Sequence, residues 1–224
     1  MYDVVLIDLD NTVLDFDAAE SRSFKKIIEN SGMDCTDELF QKYQEINTSL
    51  WRDLEQNKVS KDTVLTTRFQ KLFQLYGIDV DGRIWEMQYR SCLDDSADLI
   101  PHAKQTLLTL HQMGKKIFSA SNGVYSTQMK RLTSAGIIDL FDGHFISDRI
   151  QYEKPSPCFY DFCLKNIGMV SPRSVIMVGD NPVSDIKGAS DFGLDTCFFS
   201  RDTAISCNIA TYSISDITDL LHFV

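Results

Sequence analysis

The chain has 224 residues, of which 43% are hydrophobic and 24% are charged, and its formal net charge is −10 at pH 7. Its 14 Phe, 8 Tyr and 2 Trp give it too much apolar surface for an intrinsically disordered protein, and its length can bury a full core without a disulfide framework. The negative charge repels a phosphate backbone, which argues against a nucleic-acid polymer as partner.

Targeting signals are absent from the sequence pattern. No apolar stretch approaches the roughly 18 residues of a membrane span, so no membrane association is predicted. No basic segment precedes the first apolar run, and we expect no signal peptide. The six Cys form no C-x-x-C pair and the four His are scattered, which is typical of a reduced protein without a zinc site. We therefore expect a cytoplasmic protein.

The first predicted element is a buried strand at residues 4–7, a short run rich in β-branched residues that ends at Asp8. A polar loop follows it. The next element is a helix whose predicted N-cap is Asp17, with Glu20 three residues later as its capping-box partner.

Three further helices follow without any strand pattern between them. Their predicted N-termini are Thr36, Ser60 and about Asp81. In the last of the three we expect Ile84, Trp85 and Leu93 to face inward. The stretch 16–97 is therefore predicted to be an all-helical domain.

After that stretch, strands and helices alternate. The predicted strands cover residues 116–120, 144–147, 174–178 and 196–199, the predicted helices cover 103–113, 126–135, 159–166 and 184–192, and a weak strand near Thr211 and a final helix complete the chain. Such alternation indicates a parallel, doubly wound, Rossmann-like sheet. We predict an α/β fold in which residues 1–15 and 98–224 form this core and residues 16–97 form an inserted helical domain.

Polar groups follow four of the predicted strands. They are Asp8 and Asp10, then Ser121, then Lys154, then Asp180 and Asp185. Each alone is typical of a turn or a helix cap. Because the carboxyl ends of parallel strands share one edge of a sheet, we expect the set to converge there. Clustered carboxylates repel one another and favour Mg²⁺, and a lysine and a hydroxyl beside Mg²⁺ suit a phosphoryl group.

These motifs resemble those of the haloacid dehalogenase-like hydrolase superfamily, over essentially the whole chain. Residues 8–12 match its D-x-D-x-T motif, Ser121 its second motif, Lys154-Pro155 its third, and residues 179–185 its G-D-x-x-x-x-D motif. The inserted helices look like the family's C1 cap.

The resemblance implies roles for the carboxylates. Asp8 would be the nucleophile that becomes an aspartyl-phosphate, and Asp10 the general acid and base. Asp8, the backbone carbonyl of Asp10, and Asp180 would bind Mg²⁺. Because the superfamily's true dehalogenases lack the second Asp of the first motif, the presence of Asp10 favours phosphate ester hydrolysis.

The resemblance also implies a phosphate-binding set. Ser121, Asn122 and Lys154 would hold the phosphoryl oxygens. Asp185 would orient Lys154 or a metal-bound water.

The cap is similar to that of the pyrimidine 5′-nucleotidase subfamily, which hydrolyses UMP, dUMP and dTMP. The similarity lies in residues 43–47, 50–53 and 68–69, together with Ser-Asn-Gly at 121–123 and Gly-Leu-Asp-Thr-Cys at 193–197. Glu153 and Asn181 depart from the subfamily pattern, and neither replaces a catalytic group.

Four residues are candidates for a substrate pocket, namely Phe16, Asn47, Trp51 and Arg68. The alternative is that such residues belong to the cap core or its surface, since aromatic stripes are more often core. The expected partner is a nucleoside monophosphate, and the sequence does not predict the oligomeric state. Two alternatives stay open: a sugar-phosphate phosphatase or β-phosphoglucomutase-like phosphotransferase, and a catalytically idle binding module.

Overall fold

The computed structural model describes residues 2–168 and 170–224, so Met1 of the predicted core lies outside the described residues. The strands of this part are β1 (Val4–Ile7), β2 (Lys116–Ser121), β3 (Gly143–Ile146), β4 (Val175–Gly179), β5 (Asp195–Phe199) and β6 (Tyr212–Ile214). They form one parallel sheet in the order β3-β2-β1-β4-β5-β6. The predicted Rossmann-like α/β fold is confirmed.

Helices connect these strands. The α-helices of the described residues are α1 (Phe16–Asn30), α2 (Asp37–Glu55), α3 (Lys61–Gln74), α4 (Gly82–Asp94), α5 (Ala103–Gln112), α6 (Tyr125–Ser134), α7 (Ser147–Ile150), α8 (Pro157–Ile167) and α9 (Gly188–Phe192). Short 3₁₀ turns lie at Ile138–Leu140, Pro172–Ser174 and Ile217–His222, and a π-helical turn lies at Pro182–Lys187.

The central strands are buried on both faces, as a parallel sheet requires. In β1, Val5 and Ile7 join the apolar cluster of one face, and Val4 and Leu6 join the cluster of the other. This alternation follows from the two-residue period of a strand. The apolar run that predicted β1 is therefore shared between two cores.

The order of the strands indicates where on the sheet a ligand would bind. The chain runs from β1 outward through β2 and β3 and then returns to β4 on the other side of β1. Ligands bind at such a reversal, beyond the carboxyl ends of the strands. The backbone N–H of Asp8 donates to the carbonyl of Val178 over 2.8 Å, which fixes the end of β1 against β4.

Two compact units make up the chain, Met1–Phe16 with Ala97–Val224, and Asp17–Ser96. The second unit is all-helical and has an aromatic core, in which Phe24 lies 4.7 Å from Tyr43 and Tyr43 lies 5.2 Å from Phe69, between ring centroids. Thr36 and Ser60 cap α2 and α3 as predicted. The assignment of the two units as a hydrolase core and a C1-type cap stays a prediction.

Local predictions were wrong at several places. Helix α1 begins at Phe16, so Asp17 lies in its first turn, and the side chain of Glu20 is buried. In α4, Leu93 is buried as predicted and Trp85 is half-buried, but Ile84 is 50% exposed because Glu86 and Tyr89 lie on the inward face instead.

Two predicted helices also differ from the structure. The helix predicted at 184–192 starts earlier, as the π-helical turn that leads into α9. The predicted final helix is a 3₁₀ turn. Among the described residues, no helix has the length and apolar character needed to cross a bilayer.

Candidate active site

Three carboxylates meet at the carboxyl edge of the sheet. Asp8 follows β1, and Asp180 and Asp185 lie in the segment that follows β4. One oxygen of each lies within 4.8 Å of the others. Such a set of anionic oxygens repels itself and suits a divalent cation with oxygen ligands, which is the chemistry of Mg²⁺.

The electrostatics of this cluster favour a cation. Burial, together with the charges of Asp185 and Asp10, raises the pKa of Asp8 to about 8, against the opposing effect of Lys154. Burial and repulsion by Asp8 and Asp185 also raise the pKa of Asp180 well above its ordinary value. The positive charges of the protein therefore do not fully balance the ionised carboxylates. Their oxygen atoms are a donor set that fits Mg²⁺.

Lys154 is the cation that the protein itself supplies to this cluster. Its Nζ donates to Asp8 Oδ1 over 2.7 Å, to Asp185 Oδ1 over 2.6 Å and to the carbonyl of Ala120 over 2.6 Å. Burial lowers the pKa of Lys154, but the charges of Asp185 and Asp8 outweigh it and raise the pKa above its ordinary value. The ammonium is therefore held charged beside the predicted nucleophile.

Gly179 lets Asp185 reach this position. A Cβ on Gly179 would lie 2.2 Å from Asp185 Oδ2, which no side chain permits. The same Oδ2 accepts from the backbone N–H of Asn181 over 3.1 Å. The glycine and the second aspartate of the G-D-x-x-x-x-D motif are thus linked by close packing.

Asn122 joins the loop after β2 to the loop that carries Lys154. Its Nδ2 donates to the carbonyl of Lys154 over 2.8 Å, and its Oδ1 accepts from the backbone N–H of Lys154 over 2.9 Å. The peptide between Lys154 and Pro155 is cis. Both polar groups of the Asn122 side chain therefore bind the backbone of Lys154. The predicted direct contact of Asn122 with a phosphate stays a prediction.

The sequence analysis missed two residues at Asp10. Arg131 Nη1 donates to Asp10 Oδ1 over 2.5 Å, and Gln128 Nε2 donates to Asp10 Oδ2 over 2.6 Å. Gln128 Nε2 also lies 3.1 Å from Ser121 Oγ. These residues are three positions apart on α6. The signal that could have found them is the placement of two long polar side chains on one face of the helix that follows the second motif.

The cap candidates Asn47 and Arg68 are buried and bonded to each other. Arg68 Nη1 donates to Asn47 Oδ1 over 3.1 Å, and Arg68 Nη2 donates to Glu86 Oε2 over 2.6 Å. Asn47 Nδ2 donates to Glu20 Oε1 over 3.0 Å. Within the helical unit these side chains form one polar network, and their contact with a substrate stays a prediction.

The other two pocket candidates are half-buried. Trp51 packs against an apolar cluster of the helical unit that contains Leu50 and Leu54. The ring of Phe16 lies 5.7 Å from the guanidinium of Arg131, which faces it in a cation–π contact. Phe16 therefore lies next to the group that holds Asp10, and its role in a substrate pocket stays a prediction.

Comparison with known proteins gives a consistent family. Residues 2–193 match the model of the haloacid dehalogenase-like hydrolases. The HAD-hydrolase YfnB of Bacillus subtilis (strain 168) is 33% identical over 225 residues, which cover 100% of this chain and 95% of that protein. The pyrimidine 5′-nucleotidase PynA of Streptococcus pneumoniae (strain ATCC BAA-255 / R6) is 31% identical, covering 98% of this chain and 95% of that protein.

Solved structures agree. A crystal structure of YfnB from Bacillus subtilis bound to magnesium superposes with a TM-score of 0.94 at 34% identity, covering 99% of this chain and 98% of that one. L-2-haloacid dehalogenase from Xanthobacter autotrophicus superposes with a TM-score of 0.77 at 17% identity, covering 100% of this chain and 98% of that one. The latter shares the fold alone.

Proposed function

Because this chain belongs to the haloacid dehalogenase-like hydrolases, we propose that it is a Mg²⁺-dependent phosphomonoesterase acting on pyrimidine nucleoside 5′-monophosphates. UMP, dUMP and dTMP are the proposed substrates. The observation that carries the proposal is the pairing of two differently held carboxylates, Asp8 against Lys154 and Asp10 against Arg131. In the proposal Asp8 acts as nucleophile and Asp10 as general acid and base.

The proposed chemistry has two steps. An oxygen of Asp8 attacks phosphorus, and the ester oxygen leaves with a proton from Asp10. Asp10 then takes a proton from water as the water attacks phosphorus, which releases inorganic phosphate and restores Asp8. Lys154 and the hydroxyl of Ser121 hold phosphoryl oxygens during both steps.

Mg²⁺ would be held by Asp8, Asp180 and the backbone carbonyl of Asp10, and it would neutralise phosphoryl charge when bound. The contact of Asp185 Oδ1 with Lys154 supports a positioning role for Asp185. The same carboxylate also belongs to the acidic cluster. It therefore acts in the proposal on Lys154 first and on the metal environment second.

The substrate class rests on the relatives. PynA of Streptococcus pneumoniae is a pyrimidine 5′-nucleotidase by name. YjjG of Escherichia coli (strain K12), which is 28% identical over 199 residues, carries the same name. The presence of Asp10 supports ester hydrolysis, because a leaving alkoxide needs a proton donor and a second carboxyl group can supply the proton.

The experiment is a substrate panel. Phosphate release is measured from nucleoside monophosphates and sugar phosphates, with Mg²⁺ and with EDTA. We expect Mg²⁺-dependent release concentrated on UMP, dUMP and dTMP. Release mainly from sugar phosphates would overturn the nucleotidase assignment and keep the chemistry, whereas no release from any ester would overturn both.

The nucleophile has its own test. Asp8→Asn removes the attacking carboxylate, since an amide oxygen is a poor nucleophile, and we expect kcat to fall by roughly 10⁴–10⁶. Phosphate release by the purified variant is compared with that of the exposed-acid variant Asp139→Asn, which should keep full activity. Residual turnover of a few per cent in Asp8→Asn would contradict the covalent mechanism.

A further inference from the structure

Helix α6 places two long polar side chains inside the protein. Gln128 is 2% exposed and Arg131 is 1% exposed. They lie three residues apart and therefore share one face of the helix. Most buried polar groups in proteins are hydrogen-bonded, and the bonds of these two side chains show which groups they hold.

Both side chains serve Asp10. Arg131 donates to one carboxylate oxygen and Gln128 to the other, over 2.5 and 2.6 Å. Arg131 Nη1 also lies 3.3 Å from Gln128 Oε1. Because a guanidinium only donates, the amide oxygen of Gln128 must face Arg131, and its NH₂ group is thereby turned towards Asp10. Arg131 thus fixes both Asp10 and the orientation of Gln128.

The same NH₂ group reaches Ser121. Ser121 Oγ accepts from Gln128 Nε2 over 3.1 Å and from the backbone N–H of Gly123 over 3.0 Å. A hydroxyl has two acceptor positions and one donor, so both acceptor positions are filled and the O–H is left to donate. Ser121 is 1% exposed, which leaves water little access to change this arrangement.

Gly123 makes the arrangement possible. A Cβ at this position would lie 2.5 Å from Gln128 Nε2. Any side chain at this position would therefore displace the amide group of Gln128. Sequence spacing alone gives no indication of this contact.

We propose that Gln128 and Arg131 are positioning residues that hold the general acid and base Asp10 and set the hydroxyl of Ser121 as a donor to the phosphoryl group. This rests on the proposed function. The amide group of Gln128 links Asp10, which transfers the proton, to Ser121, which holds the phosphate. Removing either side chain disturbs proton transfer, and removing Gln128 also disturbs phosphate binding.

Leaving-group dependence separates this role from a structural one. The 5′-alkoxide of UMP leaves only with a proton, whereas the 2,4-dinitrophenolate of an aryl phosphate leaves without one. We therefore compare kcat/KM for UMP and for 2,4-dinitrophenyl phosphate, because kcat/KM reports the steps up to phosphoryl transfer to Asp8. A general acid contributes about 10²–10⁴-fold, and only to the first substrate.

For Arg131→Met we expect kcat/KM on UMP to fall by at least about 10²-fold and on 2,4-dinitrophenyl phosphate by less than about tenfold. Arg131→Lys keeps a buried cation and should recover part of the loss, which also protects the test against misfolding of the methionine variant. Lys130→Met removes a charge from the exposed face of the same helix and should leave both substrates unaffected. Equal losses on both substrates, or none, would overturn the proposal.

Phosphate binding gives the second readout. Gln128→Leu should weaken inhibition by inorganic phosphate by roughly 3–10-fold, the value of one hydrogen bond, whereas Arg131→Met should change it less. Unchanged inhibition in Gln128→Leu would overturn the link to Ser121. If the wild-type enzyme cleaves the aryl phosphate and no nucleotide, the nucleotide assignment fails, and the positioning roles are judged with the alkyl phosphate that it does cleave.

Discussion

Lys154 uses its three N–H donors inside the protein, on two carboxylates and one carbonyl. A buried charge is tolerated only when it is paired, and here Asp8 and Asp185 provide the pairing on either side. Since the raised pKa of Lys154 keeps its ammonium charged, the side chain is a fixed positive charge beside the nucleophile. A phosphoryl group that enters the site must share these donors with Asp8 or Asp185.

Gly179 controls this arrangement. In Gly179→Ala the new methyl group would overlap the carboxylate of Asp185, which must move away from Lys154. We expect a loss of about 1–3 kcal/mol of stability from the overpacking, together with lower kcat. Thermal unfolding and phosphate release are measured beside Asp185→Asn, which keeps the shape and should lower kcat with a smaller loss of stability. A fully active, fully stable alanine variant would contradict the close packing.

The sequence predicted those site residues that follow strands. Asp8, Ser121 and Asp180 were found because a polar residue that directly follows a buried strand is placed at the sheet edge by topology alone. Gln128 and Arg131 were missed because their partners lie 118 and 121 residues away in sequence. Inside a helix, polar residues look like surface residues until the fold shows what they face.

The helices of the second unit carry a buried polar network within an aromatic core. Burial is the main cause that raises the pKa of Glu20 to about 7, with hydrogen bonds from Gln44 and Asn47 and the charge of Arg68 opposing it and the charge of Asp17 adding to it. A carboxyl group with a raised pKa binds its proton more tightly in the folded state. Its ionisation therefore destabilises this unit.

The pH dependence follows from that sign. Between pH 4.5, the ordinary value for Glu, and about pH 7, the folded state holds more protons at Glu20 than the unfolded chain does. The free energy of unfolding should therefore fall as pH rises from 5 to 8, by about 3 kcal/mol from this residue. Urea unfolding followed by the fluorescence of Trp51 and Trp85, both in the helical unit, measures it. Glu20→Gln should make the fall less steep by the contribution of this residue, and an equally steep fall in that variant would refute the assignment.

The ion pair of Arg68 and Glu86 is a second test of this network. Side-chain exposure is 4% for Arg68 and 7% for Glu86, so Arg68→Met leaves a buried carboxylate whose remaining ion-pair partner, among the described residues, is Arg90. We expect a loss of about 3–5 kcal/mol in the single variant and recovery of most of it in Arg68→Met/Glu86→Leu, because a buried pair can be replaced by apolar residues. Tryptophan fluorescence in urea gives both values.

The same two variants decide the role predicted for Arg68 in the substrate pocket. If Arg68 serves the stability of the helical unit alone, the stable double variant keeps the KM of the wild-type enzyme. A raised KM in the double variant would show a contact with substrate. No gain in stability over the single variant would contradict the pairing.

Helical spacing predicted where the helices lie in the sequence better than it predicted which face of each helix is buried. The spacing in α4 placed Leu93 inward correctly and Ile84 inward wrongly. The buried stripe carries Gly82, Glu86, Tyr89 and Leu93. Arg68, the ion-pair partner of Glu86, lies on another helix, so the hydrophobic spacing along α4 gives no reason to place Glu86 inward. Where a buried face contains a paired charge, the hydrophobic residues alone define that face less sharply.

The net charge of −10 and the acidic cluster have a consequence for the whole molecule. A cation that binds only the folded state stabilises it by about 2.7 kcal/mol at 100 times its Kd. For a chain of this size, we expect Mg²⁺ to raise the melting temperature by about 5–10 °C relative to EDTA. Calorimetry measures the difference.

Asp180→Asn is the variant that tests the ligand assignment. We expect it to lose most of the Mg²⁺-dependent rise in melting temperature, while Asp139→Asn, which alters an exposed acid, keeps it. A rise of equal size in Asp180→Asn would show that the ion binds elsewhere on the acidic surface.

The bond between Lys154 and Asp8 joins residues 146 positions apart. Asp8 leaves the ribosome long before Lys154, Asp180 and Asp185 have been synthesised, and the segment Asp17–Ser96 emerges in the interval. A helical unit made of local contacts can fold during that time, since domains fold as units during synthesis. Catalytic competence therefore arises late, and turnover by a nascent chain reports that synthesis has passed Asp185 and that the two ends of the core have met.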